Sequence, residues 1–402
     1  MSTLENSLVQ SLPRYNNLIW VPWLLIIYNF TANLSNDIYL PSMPLLVHVF
    51  GTTASVVQLT MTAWFAGVAI PQLIFGPLSD KIGRRPLLLA GGVCFVLATL
   101  ICTLSTNIGM LIAARFLQGV GVCSLNVSTF SIVTDFYEYQ LRARIMAKIN
   151  ICGMLAPLIG PVFGGYILLL LGWRCNFLFV FVLGIFCVIG LWKNLPESNL
   201  HLNAKALHFS TILKNYIKLV TQNKNFLKYL LPYCFMLGGL VAYLTASPFL
   251  IINRFHYSPQ FFGFTQLSIF TAYFLGGFYL HTAHDDIAIK KMLKLGLVLV
   301  FVATLWLFAW SLFANNLWVL LLPMMMYGFG FSLCGSPLIT EVMSFPTETK
   351  GSAAALLGLG MSISCVACCA VLSAIYNGTV LSLAAILVCV LAISFVIFFL
   401  KR

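Results

Sequence analysis

A single acidic residue interrupts a long uncharged stretch near the start of the chain. Asp37 lies within residues 18–46, LIWVPWLLIIYNFTANLSNDIYLPSMPLL, which are otherwise apolar or uncharged. An ionisable group inside a bilayer costs at least about 2.5–3.5 kcal/mol on insertion scales, and such groups usually serve an ion, a proton or a substrate. Asp37 is therefore the first candidate for a chemical role.

Two asparagines share a helix face with this acid. Asn29, Asn33 and Asp37 are spaced by four residues, which places them on one side of an α-helix, and Asn36 lies beside that side. A polar stripe on a membrane helix is expected to face the bundle interior or a water-filled cavity. The stripe therefore predicts a polar site inside a bundle.

Arg115 is a basic residue within an apolar stretch of its own. At 1.5 Å per residue, Asp37 and Arg115 each lie about 10 Å from the outer end of their helices, so they could meet if those helices adjoin. Burial favours a neutral carboxyl group, whereas a nearby arginine favours the charged form. A carboxyl group whose distance to arginine changes would bind and release a proton, as H+ antiport requires. The alternative is a fixed Asp37–Arg115 ion pair that never titrates.

The composition predicts that membrane helices carry these residues. Hydrophobic residues make up 60% of the 402 and charged residues 8%, against about 25% charged residues in soluble domains. Apolar runs long enough to span a bilayer, about 20 residues each, recur without the alternation of barrel strands. We predict an all-α integral membrane protein with spans at 18–41, 54–77, 87–105, 109–134, 146–171, 175–195, 226–252, 261–282, 292–313, 317–342, 352–375 and 379–400.

The basic residues predict the orientation. Most of the 22 Lys and Arg residues fall in segments that are cytoplasmic if the N-terminus is inside, whereas the outer loops hold only Arg174 and Arg254. This asymmetry predicts that both termini are cytoplasmic. The net charge of +12 is then explained by inner loops that face anionic lipid, and we expect no nucleic-acid partner.

A long polar stretch divides the chain into two halves. Residues 1–195 and 226–402 each hold six predicted spans, and residues 196–225 form a cytoplasmic linker with a predicted amphipathic helix. Many transporters have this organisation, with a substrate site near the midplane between the halves. We expect no metal site, because the 12 cysteines are scattered through the spans. We also expect no ATP site, because no glycine-rich phosphate loop with a lysine occurs, and no enzyme activity, because no catalytic constellation is present.

Three motifs resemble those of the major facilitator superfamily. Residues 76–86, GPLSDKIGRRP, resemble its signature loop; residues 115–119, RFLQG, resemble its buried-arginine motif; and residues 156–165, APLIGPVFGG, resemble the antiporter motif of its drug:H+ exporters. The resemblance implies a fold of 12 transmembrane helices in two six-helix halves. It implies a conformational latch of Gly76, Asp80, Gly83, Arg84, Arg85 and Asp135, and an antiporter motif of Gly160, Pro161, Gly164 and Gly165. The alternative for the antiporter motif is helix packing without any bearing on transport direction.

Residues 28–43, YNFTANLSNDIYLPSM, and residues 246–249, ASPF, are similar to the bicyclomycin/chloramphenicol-resistance group, the MdfA-like exporters. The resemblance implies a proton-coupled exporter of lipophilic neutral or monocationic compounds, which acts as a monomer in the bacterial inner membrane. Its partners would be a small molecule, H+ and lipid, and it would need no cofactor besides the proton gradient. A transporter of one metabolite, such as a siderophore or nutrient, is the alternative. Asn29 replaces an acid of the group. Candidate substrate-binding residues are Asn29, Asn33, Asp37, Gln58, Gln118, Asn126, Tyr233, Met236, Tyr243 and Phe249.

Overall fold

The computed structural model describes residues 20–199, 202, 224–283, 285–344 and 350–400, and within them every regular element is helical. The predicted surface helix of the linker lies outside the described residues. The helices are α1 (Trp20–Asp37), α2 (Met43–Val49), α3 (Ala54–Ile82), α4 (Arg84–Leu104), α5 (Ile108–Phe136), α6 (Tyr139–Leu171), α7 (Arg174–Asn194), α8 (Lys224–Pro248), α9 (Pro259–Leu280), α10 (Asp286–Ser311), α11 (Leu317–Met343), α12 (Lys350–Ile375) and α13 (Val380–Leu400).

In the part of the chain that the structure describes, 11 helices, α3 to α13, are long and apolar enough to cross a membrane. Helix α1 is more polar than these 11 helices. It is also shorter than the predicted span 18–41. It ends at Asp37, and a 3-10 turn, Leu40–Ser42, leads into α2. Pro41 lies at the start of that turn, and proline restricts the residue before it and donates no backbone hydrogen bond. The expectation that Asp37 lies well inside a continuous helix was therefore wrong.

The same glycine contacts recur in the two halves. A Cβ atom on Gly119 of α5 would lie 2.1 Å from the Trp64 carbonyl oxygen of α3, and one on Gly328 of α11 would lie 3.1 Å from the Ile269 oxygen of α9. Two residues further on, Gly121 packs against α4 and Gly330 packs against α10 in the same manner. Helices α5 and α11 therefore occupy equivalent positions, and Gly119 corresponds to Gly328.

The two halves are packed together at their outer ends, the ends predicted to face away from the cytoplasm. The 3-10 turn after α1 contacts α8 and α9, and α2 contacts a π-helical turn, Phe249–Arg254, that follows α8. Tyr39, Leu40 and Phe249 are buried in one shared apolar cluster at this contact. The structure is therefore closed at the outer end.

Replacing Gly119 by alanine is expected to destabilise the first half. The added methyl group would meet the Trp64 backbone at 2.1 Å, and overpacking of this kind costs about 1–3 kcal/mol. Gly109→Ala is the matched control, because Gly109 lies in the same helix and the atom nearest to its added methyl group, Asn107 Oδ1, lies at an ordinary contact distance of 3.4 Å. Thermal unfolding of the purified variants measures the difference. Equal melting temperatures for the two variants would contradict the close contact.

Candidate functional site

The polar stripe of α1 lies against α6. Asn33 Nδ2 donates to the Asn29 carbonyl oxygen at 2.8 Å and to Asn29 Oδ1 at 3.2 Å. A Cβ on Gly153 of α6 would lie 2.9 Å from Asn29 Oδ1 and 3.4 Å from Asn33 Nδ2. Both asparagines are half-buried. The stripe therefore follows a helix surface on which a glycine makes room for it.

Asp37 lies where α1 and α6 come closest. Its side chain is buried, with 5% of the residue exposed. A Cβ on Gly160 would lie 3.2 Å from Asp37 Cβ, and one on Gly164 would lie 1.8 Å from the Ile38 carbonyl oxygen. The Gly165 position packs instead against Pro259 of α9, in the other half. Gly160 and Gly164 thus let α6 pack closely on α1 beside Asp37, and Gly165 lets it pack closely on α9 of the other half.

Arg115 is fully buried in the first half without contacting a carboxylate. Its guanidinium donates to the Ser35 carbonyl oxygen at 3.0 Å, to Asn36 Oδ1 at 2.9 Å and to Gln118 Oε1. The group also lies over the Tyr39 ring, with Cζ 4.5 Å from the ring centroid. Three acceptors and an aromatic face therefore replace the counter-ion that a buried charge usually needs.

Asn36 connects the arginine to the acid. Its Oδ1 accepts from Arg115, and its Nδ2 donates to Asp37 Oδ1 at 3.4 Å. The ion pairs among the described side chains join Arg84 to Asp80 and to Asp135, and neither includes Asp37. The structure thus brings Asp37 and Arg115 together through an amide and not as a direct ion pair. Sequence reasoning noted Asn36 but gave it no role, and its position next to Asp37 was the available signal.

The predicted latch residues meet at the inner end of the first half. Arg84 Nη1 lies 2.7 Å from Asp80 Oδ1, and Arg84 Nε lies 2.9 Å from Asp135 Oδ2. Gly83 has a φ of +104°, a conformation that favours glycine. Arg85 Nη2 donates to the Trp192 carbonyl oxygen at 2.8 Å. Gly76 lies in α3 with open space around it, so its role in the latch stays a prediction.

Glu197 contacts the predicted latch residues, although it was not among the residues predicted from the sequence. Its carboxylate accepts from the backbone N–H groups of Arg84 at 2.9 Å and Arg85 at 3.1 Å, at the start of α4. A carboxylate at a helix N-terminus satisfies free N–H groups and interacts favourably with the helix dipole. Ser198 Oγ also donates to Asp135 Oδ2 at 2.9 Å. The available signal was an acid directly after the end of a predicted span.

The other predicted substrate-binding residues lie in two kinds of surroundings. Met236, Tyr243 and Phe249 are buried in the apolar cluster that joins the halves. Gln118 is buried and donates to Thr99, so it supports Arg115. The remaining candidates are Gln58, which is buried with no protein partner for its amide, Asn126, which is exposed, and Tyr233, which is half-buried.

No group of three or more His, Cys, Asp or Glu side chains that could hold a metal ion occurs among the described residues. The polar groups that the structure brings together around Asp37 and Arg115 are one acid, one guanidinium and the amides of Asn36 and Gln118. That set can hold a proton or offset one positive charge on a bound molecule.

A family model described as Major Facilitator Superfamily matches residues 25–369. The chain is 29% identical over 339 residues to the Multidrug transporter MdfA of Yersinia pestis bv. Antiqua (strain Angola), which covers 84% of this chain and 82% of the relative. It is 30% identical over 345 residues to the Multidrug transporter MdfA of Edwardsiella piscicida, covering 84% and 82%.

Among solved structures, a D-xylose-proton symporter superposes with a TM-score of 0.77 at 13% identity, covering 95% of this chain and 97% of that one. A bacterial homolog of the human lysosomal transporter Spinster gives a TM-score of 0.74 at 14% identity, covering 96% and 97%. At these identities the similarity shows the fold alone, and it confirms the predicted all-helical fold.

Replacing Arg115 by lysine is expected to destabilise the protein by about 1–3 kcal/mol, because buried acceptors would be left without donors. Lysine keeps the charge but lacks the planar fork that reaches Ser35, Asn36 and Gln118. Arg174→Lys is the matched control, since Arg174 is exposed and donates to the Ser105 carbonyl oxygen. Thermal unfolding measures the loss, and an unchanged melting temperature for Arg115→Lys would refute it.

Proposed function

Because the chain belongs to the Major Facilitator Superfamily, we propose that it is a secondary active transporter that exports lipophilic neutral or monocationic compounds in exchange for protons. Its relatives are named multidrug transporters, and the matches run over most of both chains. This supports drug-like substrates and a transporter rather than an enzyme. Such a protein would expose one site to the two sides of the membrane in turn.

The buried and unpaired state of Asp37 carries this proposal. Asp37 is 5% exposed and packs against Gly160, and the hydrogen bond that its carboxyl group accepts from Asn36 is long at 3.4 Å. A carboxylate buried in this way without a cation in contact is costly. A proton or a substrate cation would therefore neutralise Asp37 in the outer-closed arrangement.

Exchange then follows from a change in the surroundings of Asp37. Separation of α1 from α6 would admit water to the carboxyl group and lower the cost of its negative charge. The proton would leave in that arrangement, and a substrate cation could take its place. Arg115 would tune this exchange through Asn36, which contacts both residues.

The proposed setting follows from the same observations. The chain is a multi-pass membrane protein with 11 candidate spans among its described helices. We place it in the bacterial cytoplasmic membrane with both termini in the cytoplasm, since basic residues concentrate in the inner segments. The protein would act as a monomer, and the proton gradient would drive export without a further cofactor.

Asp37→Asn is expected to abolish proton-coupled transport and leave folding intact. Asparagine has nearly the same shape but cannot bind or release a proton in this pH range. The variant and the native protein would be reconstituted into proteoliposomes, and substrate movement would be followed under an imposed pH gradient. Asp285→Asn is the matched control, because Asp285 caps α10 from an exposed position and asparagine caps equally well. Uphill transport by Asp37→Asn would refute the proposal.

The native protein is expected to transport neutral and singly charged compounds but not dications. Within α1 only Asp37 offers a negative charge, because Asn29 is uncharged. A second uncompensated charge in a buried site costs several kcal/mol. Asn29→Glu would supply a second carboxylate on the same stripe and should raise dication transport by at least about tenfold.

Transport of three compounds of similar size carrying zero, one and two positive charges would test this charge limit. Asn33→Gln is the matched control, since it alters the stripe without adding charge. Efficient pH-driven export of the dication by the native protein would show that another acid enters the site, and Glu341 near the inner end of α11 would be the first to replace.

A further inference from the structure

We propose that the second half contains a separate subsite for lipophilic monocations, formed by the rings of Tyr233, Tyr273 and Phe331. This inference rests on the proposed function and deepens it by naming a surface, besides Asp37, that attracts the cationic part of a substrate. The three residues, called the aromatic cluster below, come from α8, α9 and α11. The Phe331 ring centroid lies 5.6 Å from that of Tyr233 and 5.9 Å from that of Tyr273, with interplanar angles of 47° and 70°.

The aromatic cluster lies in the inner part of the bundle. Tyr233 is in the inner half of α8, Tyr273 is in the inner half of α9, and Phe331 is near the middle of α11. Phe331 is 2% exposed, whereas the two tyrosines are half-buried. Phe331 is thus covered by its neighbours, and the two tyrosine residues keep part of their surface accessible.

The internal repeat indicates which side of α11 the cluster occupies. Gly119 and Gly121 correspond to Gly328 and Gly330 by their contacts, so Gly335 corresponds to Asn126, which is exposed. A Cβ on Gly335 would lie 3.5 Å from the rings of both Phe331 and Tyr233. The cluster therefore lines the side of α11 that is equivalent to the exposed side of α5.

Among the residues that the structure describes, no lysine or arginine lies over the three rings of the aromatic cluster. By the same correspondence Met324 stands at the position of Arg115, so the second half lacks the buried guanidinium of the first. The cations found over rings in the described part of the chain belong to other pairs, such as Arg115 over Tyr39 and Lys228 over Phe398. Aromatic faces attract cations, and they do so more strongly when the site is desolvated.

The groups in and around the aromatic cluster favour a lipophilic monocation as the ligand. The cluster offers π-faces, and the neighbouring sulfur atom of Met236 is polarisable. Glu341, near the inner end of α11, lies within electrostatic reach of Tyr229, one helical turn from Tyr233. A quaternary ammonium or phosphonium group with apolar substituents matches these groups, whereas an anion does not.

Binding of tetraphenylphosphonium and of neutral triphenylphosphine oxide would test the subsite. The two probes share phenyl rings and differ in charge. Equilibrium binding to the full-length protein in nanodiscs at one fixed pH needs no gradient. Tyr233→Leu and Tyr273→Leu should each weaken phosphonium binding by about tenfold, and should change phosphine oxide binding much less. Tyr233→Phe and Tyr273→Phe should bind both probes as the native protein does.

Tyr257→Leu is the matched control, because Tyr257 is an exposed ring stacked on Phe261 at the outer end. Retained phosphine oxide binding shows that a variant is folded. Native phosphonium affinity in both leucine variants would overturn the subsite, as would equal weakening of both probes or a loss in the phenylalanine variants. Since binding is measured without a gradient, failure of this test leaves the Asp37 proposal standing, and failure of proton coupling in transport leaves the subsite standing.

Discussion

The buried guanidinium of Arg115 is the constraint on which the first half depends. A charge removed from water must be matched by acceptors in fixed positions. Two of these, the Ser35 carbonyl oxygen and Asn36 Oδ1, lie on α1, and a third, Gln118, lies one turn along α5. The need to satisfy Arg115 therefore fixes the rotation of α1 against α5. Because Asp37 follows Asn36 directly, that rotation also sets the direction of its carboxyl group.

Close helix packing completes what the arginine begins. Gly160 and Gly164 allow the α1 backbone to lie directly on α6, and small residues permit such approaches between membrane helices. A larger side chain at either position would hold the two helices apart and leave room for water beside Asp37. Water would then stabilise the charged form of Asp37 even in the outer-closed arrangement. The difference in proton affinity between the two arrangements, on which the proposed exchange depends, would be lost. Arg115 thus orients Asp37, and the close packing at Gly160 and Gly164 excludes water from its carboxyl group.

The sequence predicted what is local. Hydropathy is a property of each segment, so the helical class and the spans α3 to α13 followed from it. The contacts of Arg84 with Asp80 and Asp135 were suggested by a family resemblance, and their role as a latch stays a prediction. The role of Asn36 depends on how α1 is rotated, which no local pattern records. The burial of Tyr243 and Phe249 depends on how the outer ends meet. The capping of α4 by Glu197 joins residues distant in sequence, so it also required the tertiary structure.

The two halves share helix contacts but differ in chemistry. Arg115 and Met324 stand at equivalent positions, so one half carries a charge network with fixed geometry and the other carries sulfur and aromatic surface. A proton requires one acid in a controlled environment, whereas drug-like molecules of varied shape are accommodated by adaptable apolar groups. The proposed placement of these tasks in different halves would let the substrate surface vary without disturbing the hydrogen bonds of Arg115. Because the proposed transport cycle moves the halves relative to each other, a molecule bound to both would connect the state of Asp37 to that motion.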